Sequence, residues 1–243
     1  MLSIFKKEIN LFFSSLIGYI AIAVFLMTTG LFLWIFPDSS LFNYGFATLD
    51  NFFFIAPWVF LFLIPAITMR SFSEEIKSGT IELLVTRPIS DLQIILGKYF
   101  AALFLVFFAL LPTLLYFYTV YQLGAPAGNI DTGATWGSYI GLLLLGAAFV
   151  AIGIFGSAIT SNQIVAFILS VFLCFIFFMV FELISSMNIF YAKLDSLLEQ
   201  IGINYHYESI SRGVVDTRDL VYFISLITIF ILLTKLILES RKW

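Results

Sequence analysis

RSFSEEIKSGTIELLVTRPISDLQIILGK, residues 70–98, decides how this chain reads. It holds eight of the 27 charged residues, between two runs that carry none, Phe52 to Met69 and Tyr99 to Tyr121. About 20 apolar residues cross the hydrocarbon core of a bilayer, so the stretch is a charged loop between two spans. Within it Ser73 to Lys77 is charged and Gly79 interrupts. Thr80 to Thr86 has the make-up of a short helix with Thr80 as its cap. Arg87-Pro88 stops it, because the residue before a proline avoids the helical region. Ile76, Leu83 and Leu84 fall on one face, and Glu75 and Glu82 near another. Two readings stay open on these residues alone: an interfacial helix that joins two spans, or a docking element offered to a soluble partner.

Outward from the loop, the composition is that of an integral membrane protein. The chain is 61% hydrophobic and 11% charged, where soluble domains carry about 25% charged residues. Thirty phenylalanines suit lipid-facing helices and aromatic packing. No basic patch suited to phosphate backbones is present, so nucleic acid is not an expected partner. The single cysteine, Cys174, lies in an apolar run, which excludes an intrachain disulfide and a cysteine metal site. Lys6 and Lys7 precede a charge-free run from Ile9 to Pro37 without a small-residue cleavage site near its end. It reads as a retained span rather than a signal peptide.

Charge-free runs predict an all-α protein of six spans, near 16–36, 52–69, 99–121, 136–159, 164–184 and 220–238, in a single transmembrane domain over 1–243 with no internal repeat. LSIFKKEINLFFSS sets Ile4, Ile9, Phe12 and Phe13 against Lys6, Lys7, Glu8 and Asn10, the pattern of an interfacial amphipathic helix. Pro57 and Pro65 in the second span are expected to loosen its backbone ladder, and Pro112 to kink the third. Ser90-Asp91-Leu92-Gln93 reads as a capping box that starts the third helix in water. Thr160-Ser161-Asn162-Gln163 divides the fourth span from the fifth. Gly137 and Gly141, then Gly153, Ser157 and Ser161, make small-residue stripes for close helix packing. Leu194, Leu197, Leu198 and Ile201 recur at helical spacing, so 191–201 reads as a short amphipathic helix. Six spans put both termini on one side. Placing that side in the cytoplasm puts nine of the twelve Lys and Arg residues inside.

SEEIKSGTIELLVTRPISDLQIILGKY (73–99) resembles the segment after the second span in ABC-2-type exporter permeases. There an acidic pair precedes a Gly-Thr-hydrophobic helix, a Pro-Ile/Val-Ser turn and a Gly-Lys opening of the third helix. The similarity extends over the whole chain. FFSSLIGYI (12–20), APW (56–58), FLIPAITMRSFSEE (62–75), YQLGAPAGNID (121–131) and HYESISRGVVDTRDLVYF (206–223) are similar to the GldF-type gliding-motility permeases of Bacteroidota.

This resemblance implies a non-catalytic inner-membrane subunit whose central coupling helix docks on a separate ATPase, and short outer helices that cap the translocation path. Carried over, Glu74, Glu75, Ile76, Gly79, Thr80, Glu82, Leu83 and Leu84 form the ATPase contact. ATP and Mg belong to that partner, and this chain binds no cofactor itself. As one half of a transporter it needs a second permease, a different subunit by preference or a copy of itself, within membrane lipid. A subunit that couples force to the same ATPase without transporting anything is the alternative. Gly97-Lys98 is no P-loop, because Leu92 stands where the first glycine belongs and Tyr99 where Ser/Thr belongs.

The other candidates are single residues. Glu182 is the one acid well inside an apolar run, and an intramembrane acid is a functional candidate. It reads either as an outer gate bonded to a lid or as a snorkelling acid. His206, in Tyr205-His206-Tyr207-Glu208, has no second histidine to share a metal with and reads as structural. Ser157 lacks the nucleophile-elbow pattern. A mid-membrane almost without ionisable groups argues against an ion-coupled carrier, and the charge-poor spans suit a lipid-like or amphiphilic cargo.

Overall fold

The computed structural model describes residues 1–80, 90–187 and 192–240, and every element there is helical. Five of its helical segments are long and apolar enough to cross a membrane: Asp50–Lys77, Asp91–Leu123, Thr132–Ile159, Gln163–Ser186 and Thr217–Ser240. A sixth forms if the bent pair at the N-terminus counts as one span. In that pair α1 (Leu2–Phe13) meets α2 (Leu16–Trp34) at 69°. The connections place α1, residues 69–80 and 90–98, the 160–162 turn and the end of the last span at one end of the bundle, here the charged end.

Around them the chain runs α3 (Leu41–Tyr44), α4 (Asp50–Thr68), α5 (Ser73–Lys77), α6 (Asp91–Leu110) and α7 (Leu114–Leu123). It continues through α8 (Thr132–Ile159), α9 (Gln163–Phe175), α10 (Phe181–Ser186), α11 (Ala192–Ile201), α12 (Ile203–Ser211) and α13 (Thr217–Ser240). Local chemistry starts several of these. Ser90 accepts from Gln93 N at 3.4 Å ahead of α6, Asp131 Oδ1 from Ala134 N at 2.9 Å ahead of α8, and Asn162 Oδ1 from Ile164 N at 2.9 Å ahead of α9. Each takes an amide that the first helical turn leaves unpaired. Pro112 tightens Leu111–Thr113 to a 3-10 turn between α6 and α7.

The most buried helix is α8, which packs against α4, α6, α9, α12 and α13. Water does not drive helices together inside lipid, so close approach and dispersion must do it. The small residues of α8 provide the approach. Gly137 and Gly141 lie against the end of α12, and at Gly153 a Cβ would fall inside the Thr68 side chain of α4. Gly137, Gly141 and Gly153 thus form a packing seam with two different neighbours, while Ser161 of the expected stripe lies exposed beyond the end of α8. The proline-bearing α4 stays one continuous helix.

Candidate functional site

At the charged end α4 hands over to α5 through a turn that α8 holds from inside. Ser157 is fully buried. Its Oγ accepts from the amides of Phe72 at 2.9 Å and Ser73 at 3.1 Å, and donates to the Met69 carbonyl at 3.0 Å. A hydroxyl has one donor and two acceptor positions, and all three are in use. Ser73 Oγ donates to the same Met69 carbonyl. Ser157 is therefore a fastener for the turn, with no lone pair left for nucleophilic work.

Beneath α5 lies a cluster of four charges. Lys98, on α6, has its side chain 1% exposed. Its Nζ sits 2.8 Å from Glu8 Oε1, 2.6 Å from the Ser71 carbonyl and 3.0 Å from Glu75 Oε2. Lys7 Nζ takes the other carboxylate oxygen of Glu75 at 2.9 Å. The contact to Oε2 is an ion pair without hydrogen-bond alignment, since that oxygen has no hydrogen-bond partner. The Phe72 ring lies 5.0 Å from Lys98 Nζ, within cation–π range. Two cations and two anions balance, so α1, α5 and α6 are joined by one neutral group, buried at Lys98 and open to water at Lys7. Ile4, buried against Gly97, adds an apolar contact between α1 and α6.

The outer surface of α5 differs from its underside. Glu74, Lys77, Ser78, Gly79 and Thr80 are exposed, Ile76 is half-buried, and Glu75 is buried with its carboxylate on Lys98 and Lys7. Ser78 Oγ is 2.9 Å from Thr80 Oγ1 and donates to the Glu74 carbonyl at 2.8 Å. Gly79 takes φ +70°, a left-handed conformation that costs other residues roughly 1–2 kcal/mol, and so turns the chain out of α5. Of the residues expected at an ATPase contact, Glu74, Gly79 and Thr80 lie on this surface, while Glu82, Leu83 and Leu84, with the Thr80–Thr86 helix, lie outside the described residues.

The opposite end carries the second group of polar residues. Tyr207, buried on α12, donates to the Phe53 carbonyl at 2.8 Å. That carbonyl is four residues before Pro57, which has no N–H to give it. The proline thus creates the acceptor that ties α12 to α4. His206 is buried beside it. Its Nδ1 lies 2.7 Å from Asp219 Oδ1, its Nε2 2.9 Å from the Gln200 carbonyl, and its ring stacks on Tyr222 at 3.9 Å. Both nitrogens are engaged, in keeping with a structural role that joins α12 to α13. Among the described residues no group of three His, Cys, Asp or Glu is arranged to hold a metal. Glu182, on α10, accepts from Asn204 Nδ2 of α12 at 2.9 Å.

Sequence reasoning missed Glu8 and Lys98 as partners, and it missed Ser157, Asn204 and Tyr207 as fasteners. For α12 the signal was present: Ile203, His206, Tyr207 and Ile210, all buried, repeat at i, i+3, i+4 and i+7. For Glu8 and Lys98 the local pattern held none.

No curated protein matches this chain. A family model described as "ABC-2 family transporter protein" matches residues 3–242, almost its full length. The spans, the charged turn with its buried anchor and this match agree, and the chain belongs to the ABC-2 family of transporter proteins.

Proposed function

We propose that this chain is one permease half of an ATP-binding-cassette exporter of the gliding-motility type, driven by a separate ATPase that meets the outer surface of α5 and the residues after it. The charged end and both termini face the cytoplasm across the inner membrane. A second, different permease completes the path, and ATP and Mg stay with the ATPase. The observation that carries this reading is the four-charge cluster of Lys7, Glu8, Glu75 and Lys98. A docking element is useful only if its displacement reaches the spans. The cluster joins α5 to α6 directly and to α2 through α1, while Ser157 joins the turn to α8. A push on α5 therefore moves several spans together.

The test is affinity capture of the tagged chain from its native membranes, with single cysteines at Glu74→Cys or Ser78→Cys for cross-linking. A P-loop ATPase cross-linked at these positions, with a second multi-span protein in the complex, is the expected result. Capture without any ATPase, even after cross-linking, would overturn the proposal. Reconstitution of the captured complex into proteoliposomes then separates transport from force coupling without cargo.

A further inference from the structure

We propose that the cavity at the opposite end is a binding site for an amphiphilic organic cation. The cavity is about 410 Å³, within the size range of small-molecule pockets. Its apolar wall is aromatic-rich: Phe53, Pro57 and Trp58 from α4, Phe178 and Met179 from the turn between α9 and α10, and Tyr207 from α12. Trp58 and Phe178 stand at 90° with centroids 5.7 Å apart. Aromatic faces attract cations, most strongly where water is excluded.

The polar side of the same cavity carries charge of one sign. Asp50, Glu182 and Glu208 line it, and no Lys, Arg or His does. Asn204 Nδ2 donates to Glu182 Oε2 and to Glu208 Oε1, each at 2.9 Å. Carboxylates only accept, so the amide presents its nitrogen to both, and one neutral group holds two anions close together. Neither anion has an ion-pair partner among the described residues. Like charges so placed repel, and a cation between them relieves the repulsion. The apolar wall asks for an organic body on that cation, and no metal-binding group is present among the described residues.

Backbone geometry supplies an independent observation. Ile176–Val180 is a single π turn within an otherwise α-helical span, and it carries Phe178 and Met179 into the wall. Such turns concentrate at functional sites. The inference rests on the permease reading only in treating the ligand as cargo. Binding itself is a property of the isolated chain.

The probe is tetraphenylphosphonium, measured by equilibrium dialysis against the purified full chain in detergent, with protein-free micelles subtracted. Tetraphenylborate, of the same shape and opposite charge, is the control. Saturable binding of the cation at one site per chain is expected, and the borate, dialysed separately because the two ions precipitate as a salt, shows none. Glu182→Gln weakens it at least tenfold, and Glu182→Gln with Glu208→Gln abolishes it. Glu239→Gln, at the charged end, retains it and reports that the fold is intact. Non-saturable uptake, saturable binding of tetraphenylborate in its own dialysis or unchanged binding in the double variant would overturn the proposal. Binding in a chain that captures no ATPase would sink the permease reading alone. A captured ATPase with no binding would sink this inference alone.

Discussion

Lys98→Met is the perturbation that most directly tests the anchor under α5. Methionine keeps most of the stem volume and removes the ammonium. What remains is two carboxylates, Glu8 and Glu75, with side chains 18% and 11% exposed. One cation is left to them, Lys7, whose side chain is 51% exposed and therefore well screened. Removing one partner of a buried ion pair costs about 3–5 kcal/mol. Lys7 still lies 2.9 Å from Glu75, and Glu8 has some access to water, so the expected loss is near the lower end, about 3 kcal/mol.

Unfolding in mixed micelles, titrated with a denaturing detergent and followed by tryptophan fluorescence, measures this loss. The informative comparison is a cycle with Glu8→Gln and Glu75→Gln. In that neutral background Lys98→Met leaves no carboxylate behind, so the variant carrying all three changes should regain most of the lost stability, ending within about 1–2 kcal/mol of the parent. A loss below about 1 kcal/mol for Lys98→Met, the value of an exposed pair, refutes the reasoning. So does a cost that is the same in both backgrounds, because the four charges would then not be acting as one unit.

The remaining predictions concern single fasteners. Ser157→Ala strands the buried amides of Phe72 and Ser73, at about 1–3 kcal/mol for an unsatisfied group, and should increase hydrogen exchange in the 69–73 turn before elsewhere. Tyr207→Phe frees the Phe53 carbonyl beside Pro57 and should cost about 1 kcal/mol, read as faster exchange in α12 with α8 unchanged. The exposed Asp216, just before α13, accepts from the amide of Arg218 at 3.0 Å, and this bond first of all holds its carboxyl below the usual range. Because the folded group is the stronger acid, its contribution is present above the ordinary carboxylate pKa and lost as pH falls through the lowered value. The stability difference between the parent and Asp216→Ala should therefore exist at neutral pH and vanish in strong acid.

The spans were legible because lipid imposes a length and forbids charge, and both properties are local. The polar breaks were legible for the same reason: Asn162 divides α8 from α9 with the cap its residue type suggests. Residues 191–201 showed their apolar spacing, and α11 covers Ala192–Ile201 of them. For α12 the same spacing went unread because Tyr205-His206-Tyr207-Glu208 looks like polar loop. Whether a tyrosine hydroxyl finds a carbonyl 154 residues away is not a local property. Pro57 shows the limit plainly. Its cost to the ladder was readable, but the continuity of α4 and the taking of the freed carbonyl by Tyr207 depend on what packs beside it.

The charged loop sets a harder problem, since each of its side chains has water as an alternative partner. Glu8 sits on the polar side of α1 by pattern, yet it meets Lys98, 90 residues on, because α1 lies along the start of α6. Only that packing separates an anchoring charge from a solvated one. Charge balance then separates the two polar groups of this protein by what they are able to do. Lys7, Glu8, Glu75 and Lys98 sum to zero and pair with one another, so the group is balanced and joins α1, α5 and α6. Asp50, Glu182 and Glu208 share one cavity, the latter two also share the Asn204 amide, and no cation is among the lining residues. Glu182 is half-buried and Asp50 and Glu208 are exposed, so the excess of one sign beside an aromatic wall is open to a ligand of the other sign. The same electrostatic rule thus assigns structure to the charged end and recognition to the opposite one.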